Sequence, residues 1–137
     1  MLRVRLGVIG GFIAWLFLWV GTEMVLSLVW PDWFGAHQRA FTAAIKNGGP
    51  FSADTTILLM QIVLASIVTL ASGLVAALIA RQHHRAPLIL GLLLSAFGLL
   101  KVMMSWPYVP IWHHVVFMAL LMPMAILGGK LAGAARK

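Results

Sequence analysis

Residues 6–30 read LGVIGGFIAWLFLWVGTEMVLSLVW, an unbroken apolar run with one ionisable side chain, Glu23. A transmembrane helix needs about 20 consecutive, mostly apolar residues, so this stretch is long enough to span a bilayer. The Arg3 and Arg5 flank before it resembles a signal-peptide n-region. The apolar run, however, is longer than a signal h-region, and no small-residue cleavage motif follows. The reading is an uncleaved signal anchor.

The rest of the chain repeats the pattern. Of its 137 residues, 62% are hydrophobic and only 9% charged, whereas soluble domains run near half apolar and a quarter charged. Three more apolar runs, at about 56–80, 88–106 and 111–132, complete four spans and leave no room for a soluble domain. The expected fold is all-α: a single integral membrane four-helix bundle over residues 1–137. The +7 formal charge comes from Lys and Arg gathered at helix ends, which points to membrane topology and away from nucleic acid. There is no cysteine, so disulfides, zinc–thiolate sites and thiol catalysis are excluded.

Between the first two spans lies DWFGAHQRAFTAAIK, residues 32–46. At 100° per residue Trp33, Phe34, His37, Ala40, Phe41, Ala44 and Ile45 share one face, and Gln38, Arg39, Thr42 and Lys46 the other. This predicts a short amphipathic helix lying in the outer interface, stopped by Asn47-Gly48-Gly49-Pro50. Ser52 or Asp54 can cap the second span. Arg81 to Pro87 form a tight basic link, and Trp106 to Pro110 a hairpin turn.

Arg3, Arg5, Arg81, Arg85, Lys130, Arg136 and Lys137 fall on one side of this scheme; the other side has Arg39 and Lys46 in its loops. The positive-inside rule then places both termini in the cytoplasm, in a bacterial inner membrane, with Trp30, Trp33, Trp106 and Trp112 as an outer aromatic belt. Small residues recur every four positions at Ala65, Thr69, Gly73 and Ala77, and at Ala125, Gly129 and Gly133. Such stripes serve either internal bundle packing or a homo-oligomer face.

Ionisable residues at membrane depth are rare and usually face a bundle interior. By a rise of about 1.5 Å per residue, Glu23 lies roughly 10 Å below the outer interface, Lys101 and Gln61 roughly 8 Å, and His113 and His114 roughly 5–6 Å. All four spans thus place a polar side chain in one outer layer. Ser27 and Ser105 sit one turn above Glu23 and Lys101. The expected contact is a Glu23–Lys101 ion pair, since either charge alone costs up to about 3 kcal/mol at a helix centre. His37, on the apolar face of the loop helix, would point down towards the mouth of such a site as a lid. The opposing reading is a static polar clasp that fixes helix order, with Lys101 snorkelling outward.

Metal and catalytic readings carry less. Met24, Met60, Met103, Met104 and Met118 lie near the level of His113 and His114, a thioether–imidazole set of the kind that suits Cu(I). But methionine also fills cores, and no M-x-x-M or H-x-M array occurs. Haem would need histidines on facing helices, whereas His37, His83 and His84 fall in loops. No metal ligands are assigned and no cofactor is expected. No nucleophile elbow, phosphate loop or His–acid metal motif is present, so no catalytic residues are assigned and an enzyme is the weaker expectation.

LIARQHHRAPLILG at 78–91, WPYVPIWHH at 106–114 and MPMAILGGKL at 122–131 resemble corresponding stretches of a group of small, uncharacterised four-span bacterial inner-membrane proteins. The resemblance covers residues 64–132 and implies a four-helix inner-membrane protein; it carries no activity. Three function classes follow from the chain as a whole. The first is a binding or permeation module for a small or amphiphilic molecule, using the outer polar layer. The second is a structural or accessory subunit of a larger membrane complex, and the third a membrane enzyme or redox carrier. A thin four-helix bundle favours the first two.

Overall fold

The structure, a computed structural model, describes residues 2–48, 51, 54–81, 85–106 and 108–135. It is all-helical over these residues: α1 (Leu2–Val29), α2 (Ala36–Asn47), α3 (Thr55–Ala80), α4 (Arg85–Ser105) and α5 (Ile111–Ala135), with a π-helical turn at Pro31–Gly35. The expected four spans correspond to α1, α3, α4 and α5, each long and apolar enough to cross a membrane. The Gln82-His83-His84 part of the basic link, the alternative cap Ser52, and Arg136 and Lys137 lie outside the described residues.

Element boundaries follow local chemistry. α1 ends at Val29 because Pro31 offers no N–H to continue the ladder. α3 is capped by Asp54, whose Oδ1 accepts from Thr56 N at 2.8 Å and Ile57 N at 3.3 Å. α4 starts at Arg85, earlier than expected, because Pro87 falls in its first turn, where a missing N–H costs nothing. α2 ends at Gly48, whose φ of 67° permits the left-handed cap and whose N–H bonds Ala44 O at 2.8 Å.

The loop segment departs from the expected single helix over 32–46. Gly35 N donates to Trp30 O at 3.0 Å, five residues back, opening a wide turn before the α-helix begins. Gly35 has no side chain to obstruct its approach to α1: a Cβ there would meet Ser27 O at 3.2 Å. A π-turn advances the chain by less than 100° per residue, so it changes the phase of the helix that follows. Phe34 and Ala44 are buried as expected, whereas Ala40 is exposed and Gln38 turns partly inward.

α3 is the central helix, packed most extensively against α5 and α1; α4 also lies against α5, α1 and α3. Close approach rests on small residues. A Cβ on Gly73 would run into the backbone of Ala125, and one on Gly128 into the backbone of Leu70 and Leu74. On α1 the buried positions are Gly7, Gly11 and Trp15, again every fourth residue, with Gly7 and Gly11 against Ala76, Ala80 and Ser72. Ala65, Thr69, Gly73 and Ala77 are all buried within the chain, so this stripe serves internal packing. Trp15 Nε1 donates to Thr69 Oγ1 at 3.1 Å across the α1–α3 contact, removing an unpaired polar group from the core. The N-terminus of α1 therefore lies beside the C-terminus of α3. Their other ends face α2.

Candidate functional site

At that α2 end the helices part around a cavity of about 280 Å³. Its wall is built from all four long helices, and α2 covers it. On α1, Trp15, Trp19 and Glu23 follow at four-residue spacing and so share one face; the last two line the cavity. α3 contributes Leu58 and Gln61, α4 Lys101 and Ser105, and α5 His113, His114 and Phe117. From α2 come His37, Gln38, Phe41 and Thr42. The six residues expected from the sequence, Glu23, His37, Gln61, Lys101, His113 and His114, therefore all line one space.

Their partners differ from expectation at the central pair. Among the described residues no direct ion pair joins Glu23 to Lys101. Glu23 Oε2 instead accepts from Gln38 Nε2 at 2.6 Å, and Gln61 also bears on the carboxylate. The Lys101 ammonium lies 4.7 Å from the Trp19 ring centroid and 4.8 Å from that of Phe117. Two aromatic faces solvate the cation electrostatically, and the stem of Lys101 carries it towards Trp19, one turn below Glu23. Ser105 sends its hydroxyl back to Lys101 O at 2.8 Å, the usual arrangement for serine in an apolar helix. Ser27 is not part of this cavity; it borders a shallower surface groove with Arg39 and Lys46.

The two histidines of α5 are deeply buried, at 5% exposure for His113 and 4% for His114. His113 stacks on Phe117 with ring centroids 6.3 Å apart, and His114 on Trp106 at 5.3 Å. Neither ring nitrogen of His113 has a partner, nor does Nε2 of His114. The Trp106 backbone also bears on the His114 ring. Buried polar atoms are almost always hydrogen-bonded, so three unpartnered nitrogens on two cavity-lining residues are an exception to that rule.

At the rim His37 does more than point downward. Its Nε2 accepts from Asp54 N at 3.2 Å, its ring meets Phe51 edge-on at 5.1 Å, and its buried Nδ1 has no partner. Burial holds the imidazole below its ordinary pKa, with the Asp54 carboxylate opposing. Trp33 Nε1 donates to Asp54 Oδ2 at 2.9 Å, and this bond leads the causes that hold the Asp54 carboxyl below its usual range. Asp54 thus caps α3 and ties the π-turn and α2 to it.

Sequence reasoning missed Gln38, which it set on the polar face, and the Trp33–Asp54–His37 cluster. Asp54 carried a signal: it is one of only three acids in the chain and stands just before a span. Met24, Met103 and Met104 are exposed on the outside of the bundle, whereas Met60 and Met118 are half-buried. Searches of family models, curated proteins and solved structures find nothing that matches this chain. The reading of the site therefore stands on its geometry.

Proposed function

We propose that the chain is a four-span integral membrane protein whose outer-half cavity binds a small molecule. The observation that carries this is the set of unpartnered, buried nitrogens on His113 and His114, two residues that line the same cavity as Glu23 and Lys101. A fixed structural clasp satisfies its own polar groups; this one leaves donors and acceptors for a guest. Membrane insertion is supported by the broad apolar exterior, with Ile13, Phe17, Val63, Leu92 and Leu131 all exposed. Such extended apolar surface on a lone chain signals a membrane or a large partner.

The orientation we propose has both termini in the cytoplasm of a bacterium and α2 in the outer interface. It rests on Arg3, Arg5, Arg81, Arg85 and Lys130 at one end against Arg39 and Lys46 at the other. An inner-membrane setting, though not its orientation, is what the resemblance over 64–132 implies. α2 then forms a cover whose Gln38 holds Glu23. A second reading, an accessory subunit with the polar layer as a clasp, draws on that same Gln38–Glu23 bond, which ties α2 to α1.

A ligand screen read by thermal shift, on purified protein in nanodiscs, separates the two. For a binding module, at least one small-molecule class raises the melting temperature, and Glu23→Gln and Lys101→Met change that response while both variants still insert and fold. Unchanged shifts in both variants would sink the binding reading. Stoichiometric co-purification with a partner in mild detergent would establish the accessory one.

A further inference from the structure

Resting on the binding reading above, the unmet valences of the cavity define its guest. The carboxylate of Glu23 is already served by Gln38 and approached by Gln61. The Lys101 ammonium makes no hydrogen bond among the described residues; its neighbours are two ring faces. An ammonium has three donors and no acceptor, so the largest unfilled demand in the cavity is for an anionic oxygen. The second demand is of opposite sense. One nitrogen of a neutral His113 is an acceptor with no donor, and Nε2 of His114 is also unpartnered. The guest must therefore bring an O–H or N–H as well. The rest of the wall is largely apolar, with Trp19, Phe41, Phe117 and Leu58. The volume, about 280 Å³, equals roughly nine waters at about 30 Å³ each and sits at the small end of ligand pockets.

We infer that the cavity takes a small monocarboxylate carrying a hydroxyl on a flat or compact apolar body, with the carboxylate on Lys101 and the hydroxyl hydrogen-bonded to His113 or His114. The cation over Trp19 and Phe117 is held in place for a charge-assisted contact, the stronger kind of hydrogen bond. Glu23 repels such a guest, and Gln38 and Gln61 disperse that repulsion. A zwitterion or a cation would instead draw on Glu23, which gives the two alternatives opposite signatures.

The test is calorimetric titration of the full chain in nanodiscs of neutral phosphatidylcholine. The probes are the ortho, meta and para hydroxybenzoates, benzoate, and the matching hydroxybenzamides. At least one hydroxybenzoate should bind about tenfold or more tightly than its amide, and more tightly than benzoate. Lys101→Met should erase the advantage over the amide. His114→Phe, which keeps a ring stacked on Trp106, should erase the advantage over benzoate. Glu23→Gln should tighten hydroxybenzoate binding. Thermal melts of each variant confirm that it is folded. A hydroxybenzamide that binds as tightly as its acid, with affinity lost on cavity substitution, would overturn the carboxylate assignment and leave the binding reading standing. Weaker binding in Glu23→Gln would overturn it in favour of a zwitterion or cation. Binding equal in parent and Lys101→Met discs would mean partition into lipid, and no saturable binding would overturn this inference; the thermal-shift screen judges the broader reading separately.

Discussion

His37 shows how one residue couples the cover to the bundle. Its Nε2 must be unprotonated to accept from the Asp54 amide. Burial lowers its folded pKa below the ordinary 6.5, so the unfolded or detached ring binds a proton first as pH falls. Stability from this tie is complete above about pH 6.5 and declines as pH drops from there towards the lower folded value. Asp54 works at the other end of the scale. Its folded pKa lies below 3.8, so its contribution is present above that value and is lost only in stronger acid. Between the two, the Asp54 amide should lose hydrogen-exchange protection through His37 alone. A His37→Gln variant, which accepts without titrating, should show flat protection across this range; a slope equal to that of the parent would assign the effect elsewhere. A second residue-scale expectation concerns Thr69→Val. It leaves the buried Trp15 Nε1 donor unpaired and should cost about 1 kcal/mol in denaturant titrations.

At the scale of elements, helix contacts are decided by where side chains are missing. Gly73 and Gly21 are both glycines within long apolar helices, yet they predict opposite outcomes. A Cβ on Gly73 meets the Ala125 backbone, whereas Gly21 has nothing within 4 Å. Gly73→Ala should destabilise by about 1–3 kcal/mol through overpacking. Gly21→Ala should be neutral or stabilise by up to about 1 kcal/mol through helix propensity. Comparison of the two variants by thermal or SDS unfolding checks both signs at once. The same contrast shows why some of this fold was legible and some was not. Four spans and their order follow from apolar run length alone, and the stripe through Ala65, Thr69, Gly73 and Ala77 announces a close contact. The phase of α2 was hidden, because it depends on a Trp30 carbonyl bonding Gly35 rather than on any periodicity. That hidden shift placed Gln38 on the wrong face. The polar layer itself was readable from depth counting, since all four spans must cross the same slab. Its pairing was not, because Lys101 chose between Glu23 and two aromatic faces on geometry that spacing does not carry.

The two ends of the molecule carry Lys and Arg in unequal numbers, and the proposed orientation rests on that. Each of α1, α3, α4 and α5 has one end near Arg3 and Arg5, Arg81, Arg85 or Lys130, and the opposite end opens on the cavity and α2. Lys and Arg near span ends hold their loops in the cytoplasm, and the effect follows their count rather than net charge. A C-terminal reporter that is active only in the cytoplasm should therefore be active, and one that works only outside should be silent. A reporter inserted after Gly48 should give the reverse. The cavity would then draw its guest from the outer side, past α2, and its affinity should not depend on cytoplasmic concentrations. The Gln38–Glu23 bond makes a linked claim, because it joins α2, which covers the cavity, to the one acid inside a long apolar helix. Gln38→Ala should free α2 at that point and speed both binding and release of any guest, changing rates more than affinity, as stopped-flow Trp fluorescence through Trp19 can read. A C-terminal reporter found outside would invert the molecule, turn α2 into a cytoplasmic cover, and move the guest to the cell interior without altering a single contact in the cavity.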